Sequence, residues 1–208
     1  MTVYVLTRTA CRPKMFARLR ESVLSQECEH KIIHVVHIEV DAGDYAEGDI
    51  VVRGRRIPKG PGMSAPWELY NERMLSVVSK VARKDRPGWV MFIDDDDVFT
   101  SETAVARAFA NADPGRLLLW KVERENGRIS PFEFPGDLGS DRGRVCWEGG
   151  SHHTRYIGLA GVDGDDGADG RYWRDLAGFL PVTWVDEVIT CPQLVGRAGK
   201  GHGRRRDG

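Results

Sequence analysis

The chain has 208 residues, 41% hydrophobic and 29% charged, a balance that suits one globular domain with a real core and excludes disordered, collagen-like or disulfide-dense chains. Thirty basic residues against thirty-one acidic give a formal net charge of -1, so no global field draws the protein to nucleic acid or an anionic membrane. The opening MTVYVLTRTACRP lacks the basic lead-in and apolar length of a secretory signal, and no later run approaches the roughly 18 apolar residues of a membrane span. Cys11, Cys28, Cys146 and Cys191 stand too far apart for zinc or thioredoxin-type pairs, which reads as reduced thiols in a cytoplasmic protein.

In chain order, Val3 to Leu6 is a short β-rich run, and Pro13 opens a helix with Phe16, Leu19 and Val23 on one face. Ile32 to Val40 is nearly continuous and β-branched, as a strand covered on both faces would be. Asp49 to Arg53 is a further short strand, and Arg53 to Pro66 is a basic loop dense in Arg, Lys, Gly and Pro. From Trp67, the spacing of Tyr70, Met74, Val77, Val78 and Val81 predicts a helix that stops before Pro87-Gly88. Trp89 to Ile93 is a buried strand that runs straight into four aspartates. A helix over Ser101 to Asn111 is expected behind the capping-box pattern of Thr100 to Thr103, and Leu117 to Val122 restarts a strand. Beyond Glu123 regularity fades until Tyr172 to Leu176 and Val182 to Ile189. Alternating strands and helices imply an open α/β sheet whose early strands are parallel, with no repeat or linker marking a second domain.

A run of four aspartates is ordinarily a solvated, self-repelling surface. Here Asp94, Asp95, Asp96 and Asp97 follow a strand directly, at the sheet edge where open α/β folds hold ligands. Carboxylates there need a counter-charge, and Mg²⁺ or Mn²⁺ takes one or two of them together with phosphate oxygens. Alternation along an extended strand would point Asp94 and Asp96 one way and Asp95 and Asp97 the other.

With those features in place, the sequence resembles the GT-A-fold glycosyltransferases, most closely the inverting family 2 type that uses nucleotide-diphospho-sugars. VYVLTRTACRPKMFARLRESVLSQ resembles the opening strand, turn and helix; LYNERMLSVVSKVARKDRPGWVMFIDDDDVF resembles the Asn-bearing helix and Asp-x-Asp-Asp strand end; GADGRYWRDL resembles the Glu-Asp segment of the acceptor side. The departures are extra residues before Arg12-Pro13, HIEVDAGD in place of an Asp-Asp-Gly-Ser pattern, and Ala168 in place of Glu. The resemblance implies a single α/β domain over 1–208 with a Rossmann-like, mostly parallel open sheet flanked by helices. Residues 1–100 would be the nucleotide-sugar half, 101–198 the acceptor side and 199–208 a basic tail.

Carried over by motif, Asp94 and Asp96 bridge donor ribose and diphosphate through Mn²⁺ or Mg²⁺, Asp96 as direct ligand and Asp97 in support. Thr7, Arg8 and Asn71 fall at donor positions, and Asp41, with Glu39 as competitor, falls nearest the base-contact position. Asp169 takes the place of the catalytic base that deprotonates the acceptor hydroxyl; the alternative is an N-cap for the Tyr172 helix. Read as a calcium loop from Asp165, the segment has Gly167 and Leu176 where carboxylates belong, which disfavours calcium. In the tail, His202 is a candidate metal ligand and Lys200 and Arg204 to Arg206 are candidates for the leaving diphosphate, or else a solvated or weak nucleic-acid patch. His152-His153 reads as a loop pair. The donor is then a UDP-sugar, or a GDP-sugar, and the acceptor a saccharide, lipid-linked sugar, protein or modified DNA base. The rivals are a non-catalytic binding module and a sugar nucleotidyltransferase; against the latter, Thr7 to Cys11 contains no glycine where that class has a Gly-rich loop.

Overall fold

The computed structural model describes residues 1–58, 60, 66–124, 126–131, 145–162 and 168–193, without the side chains of 41, 66 and 83–85. Strand β1 (Thr2–Thr9) leads into helix α1 (Pro13–Leu24), whose buried face is Phe16, Leu19 and Val23, and then into β2 (Lys31–Glu39) and β3 (Ile50–Gly54). Helix α2 (Leu69–Asp85) returns the chain to β4 (Gly88–Phe92). There follow β5 (Asp97–Phe99), α3 (Ala104–Ala108), β6 (Leu117–Glu123), β7 (Ile129–Ser130), β8 (Gly150–His153), α4 (Ala168–Ala177) and β9 (Val182–Pro192).

The sheet runs β3-β2-β1-β4-β8-β6-β9-β5, with β7 beside β6. β3, β2, β1 and β4 are mutually parallel, as are β6 and β9, while β8 lies antiparallel to both β4 and β6. Period-two alternation sorts the side chains onto two faces. Tyr4, Leu6, Val90, Phe92, Leu117 and Leu119 pack with Met74 and Val78 of α2 and Tyr172, Trp173 and Leu176 of α4. Val3, Val5, Trp89, Met91, Leu118 and Trp120 pack with Leu19 and Val23 of α1 and Ala104, Val105 and Ala108 of α3. Both faces are therefore covered, which is why these strands read as continuous apolar runs. Gly88 opens β4 where a Cβ would come within 2.4 Å of the Thr2 carbonyl oxygen, so a side chain there would force the two strands apart.

The helix expected over Ser101 to Asn111 is shorter, Ala104–Ala108, and its Thr103 N-cap makes no side-chain cap. Gln26 serves it from afar, accepting from Val105 N–H at 2.9 Å and donating to the Ser101 carbonyl at 2.8 Å. His152-His153 belongs to β8 rather than a loop: His152 is buried, with Nδ1 at 3.0 Å from the His153 carbonyl and Nε2 at 2.7 Å from Tyr172 Oη. All four cysteines are free, and among the described residues no helix is long and apolar enough to cross a membrane.

Candidate active site

Because the chain passes from β1 outward to β2 and β3 and then crosses back to β4, the carboxyl ends of β1 and β4 flank the switch point of the sheet. β4 ends at Phe92, before the aspartates, and the chain turns at once, with Asp97 N–H donating to the Asp94 carbonyl at 3.1 Å. Strand alternation therefore does not apply to the run, and Asp94 and Asp96 are held by different arginines. Asp94 is held by Arg8, Nε to Oδ1 and NH2 to Oδ2, both at 2.8 Å, whereas Asp96 meets Arg12 NH1 at 2.8 Å. Gln193 fastens the turn: its backbone N–H donates to the Asp96 carbonyl at 2.7 Å and its Nε2 to the Asp95 carbonyl at 2.9 Å and the Met15 carbonyl at 2.8 Å.

Arg8 also reaches Glu68 at 2.6 Å, and the same Glu68 oxygen accepts from the Trp147 indole. Burial opposes the Arg8 charge, but Asp94 and Glu68 more than offset it and raise its pKa. Burial raises Glu68 in turn, against the pull of Arg8. Asp169 lies in the first turn of α4, not at its N-cap, and accepts from Gly170 N–H at 2.7 Å. Burial raises the Asp169 pKa; Gly170, Arg124 and Arg8 lower it and Asp94 raises it, so the Asp169 and Asp94 carboxylates feel one another's charge.

Two more buried carboxylates feel the charge of Asp94: Glu148, which had no sequence-based assignment, and Asp97. Glu148 is 6% exposed, and burial and Asp94 push its pKa up while the Cys146 thiol hydrogen-bonds it. Asp97, assigned only a supporting role, is raised by burial and then by Glu148. For both groups the folded pKa lies above the unfolded value, so the native state keeps protons that the unfolded chain has released, and stability is lost as pH rises through that window. Glu148→Gln cannot titrate, and its melting temperature relative to wild type is expected to climb from about pH 5 to about pH 8. A difference that stays flat across that range in thermal melts would contradict a raised Glu148.

Cys11 adopts a left-handed φ of 56°, uncommon outside glycine, where the chain turns between β1 and α1, and the next residue, Arg12, reaches back to the acidic turn. Asp95, which no donor role was assigned, is buried and accepts from Thr9 Oγ1 at 2.6 Å. Burial drives Asp95 up to about 7 against the opposing effects of Arg12 and Thr9.

Thr7 is fully buried, with its hydroxyl 3.0 Å from His34 Nε2. Asn71 is buried in α2 with its Nδ2 unpartnered. Asp41 lies in the 3-10 turn Val40–Ala42 after β2, and its side chain is outside the described residues. Its competitor Glu39 accepts from Tyr70 Oη, and Tyr70 stacks on His37 with centroids 4.2 Å apart. Lys200, His202, Arg204, Asp165 and Asp166 lie outside the described residues.

Among the described residues no group of three His, Cys, Asp or Glu side chains could hold a metal ion. The donor chemistry still fits a hard cation: Asp96 is 40% exposed, and hydrated Mg²⁺ or Mn²⁺ needs only one or two carboxylates when phosphate oxygens and water complete the shell. Both oxygens of Asp94 are engaged by Arg8, which leaves Asp96 as the accessible ligand.

No family model matches the sequence, and no curated protein matches it. Solved structures do. Staphylococcus aureus TarS 1-349 aligns with a TM-score of 0.61 at 17% identity over 93% of this chain and 60% of that one. The same protein in complex with UDP-GlcNAc aligns at 0.57 and 17% identity over 93% of this chain and 58% of that one. A 4-diphosphocytidyl-2C-methyl-D-erythritol synthase aligns at 0.53 and 12% identity over 89% and 90%. At such identities the likeness shows the fold: a GT-A-like α/β domain, as the sequence resemblance implied. The chain spans 60% or less of the TarS chains it matches.

Proposed function

We propose that the protein is a metal-dependent glycosyltransferase that moves a sugar from a nucleotide-diphospho-sugar, preferentially a UDP-sugar, to an acceptor hydroxyl with inversion. The observation that supports this reading is that Asp94, bound bidentately by Arg8 at the carboxyl ends of β1 and β4, lies near enough to Asp169 in the first turn of α4 for its charge to bear on that carboxyl. The TarS complex with UDP-GlcNAc has the same fold and agrees with a nucleotide-sugar donor.

In this reading Asp169 accepts the proton of the acceptor hydroxyl as it attacks the anomeric carbon from the face opposite the leaving diphosphate. A base whose pKa burial has raised is better matched to neutral pH than an exposed aspartate. Arg8 fixes Asp94 bidentately, so this carboxylate is oriented before a donor arrives. Bound at Asp96, Mn²⁺ or Mg²⁺ would neutralise charge on the departing diphosphate. Lys200, His202 and Arg204 remain proposed for the same group; the described chain reaches the acidic turn at Gln193, whose N–H bonds Asp96.

Calorimetry of UDP binding tests the donor end. Binding is expected to require Mn²⁺ and to be lost in Asp96→Asn; equal affinity with and without EDTA in both proteins would exclude the metal bridge. A nucleotidyltransferase is the second reading, favoured by the likeness to the diphosphocytidyl synthase. It would release pyrophosphate from a nucleoside triphosphate and a sugar phosphate.

A further inference from the structure

Arg12 stands between the left-handed Cys11 and Pro13, the first residue of α1. One of its nitrogens, NH1, serves two adjacent carboxylates, Asp95 Oδ1 at 3.0 Å and Asp96 Oδ2 at 2.8 Å. We propose that Arg12 is the internal counter-cation of the acidic turn and competes with the divalent cation for Asp96, so that it sets the cation's affinity. The inference rests on the reading of Asp96 as the cation's ligand.

The two partners of Arg12 differ in how readily they release it. Asp95 is 4% exposed on its side chain and would leave a buried charge behind, whereas Asp96 is 40% exposed and can exchange a guanidinium for water or metal at little cost. A dication on Asp96 places like charge beside the guanidinium, which withdraws to Asp95 and Thr9 remains to satisfy the other Asp95 oxygen. Arg8 has no such freedom: it is 14% exposed and holds both Asp94 oxygens as well as Glu68. Arg12 and the cation therefore weaken one another's hold on Asp96 by the same factor.

The test is titration of the full chain with Mn²⁺ alone, followed by calorimetry, in wild type, Arg12→Gln, Arg12→Lys and Asp96→Asn. A melting curve of each variant confirms folding. Because Arg12→Gln strands the buried Asp95, the double variant Arg12→Gln with Asp95→Asn is compared with Asp95→Asn alone. Removing the guanidinium is expected to tighten Mn²⁺ binding about two- to fivefold in both comparisons, the scale of a half-exposed ion pair. Arg12→Lys should stay near wild type, and Asp96→Asn should lose binding. Unchanged or weaker affinity without Arg12, while Asp96→Asn still loses the metal, overturns this inference and leaves the ligand role of Asp96 standing. Equal binding by wild type and Asp96→Asn removes that role and the inference together.

Discussion

Asp169→Asn is expected to lower turnover by about 10²–10⁴-fold, the contribution of a positioned general base, while fold and donor affinity stay close to wild type. The asparagine side-chain oxygen can still accept from Gly170 N–H, and a neutral group replaces one whose charge burial disfavours, so little stability is at stake. Donor affinity should hold because the diphosphate end depends on Asp96 and the arginines. Steady-state rates and calorimetry with the same nucleotide-sugar separate the two effects. A fall of less than about tenfold, below the usual range for a base, would move that role to another carboxylate. Glu148, which also feels the Asp94 charge, is then the next to test.

Arg8→Met should be the most damaging change to stability in the site. It leaves Asp94 and Glu68, 25% and 13% exposed, facing one another without their shared cation. Breaking a buried pair costs about 3–5 kcal/mol, and the residual exposure of Asp94 puts this case near the lower end. For a chain of this size that is a fall in melting temperature of roughly 6–12 °C. Adding Asp94→Asn and Glu68→Gln should restore most of it, since the stranded charges go with their partner. Arg53→Met is the contrasting case, because its pair with Asp44 is largely in water and should contribute under about 1 kcal/mol. Similar melting curves for Arg8→Met and Arg53→Met would contradict the Arg8 network.

The first half of the fold is legible in the sequence because β1, β2, β4, α1 and α2 each carry a nearly continuous apolar run or an apolar stripe, and burial of the strands on both faces makes the signal strong. β8 is not, since Gly-Ser-His-His has no strand pattern and is buried through hydrogen bonds such as that between Ser151 Oγ and the Val90 carbonyl at 2.7 Å. α3 is overestimated because its start depends on Gln26, a partner 79 residues away that no local motif announces. In the site, the strand end announces Asp94 to Asp97, but which arginine each would meet depends on a turn that begins after Phe92. Glu68 and Glu148 were hidden because burial of a lone glutamate leaves no period. Their one local mark is a preceding tryptophan, in Trp67-Glu68 and Trp147-Glu148.

The most direct measurement is incubation of the wild-type chain with a panel of UDP- and GDP-sugars and Mn²⁺, following the nucleotide released. A glycosyltransferase should liberate nucleoside diphosphate from one donor, slowly to water and faster once a hydroxyl acceptor is supplied, and Asp96→Asn should abolish it. Pyrophosphate formed from a nucleoside triphosphate and a sugar phosphate, with no diphosphate from any nucleotide-sugar, would contradict the proposal.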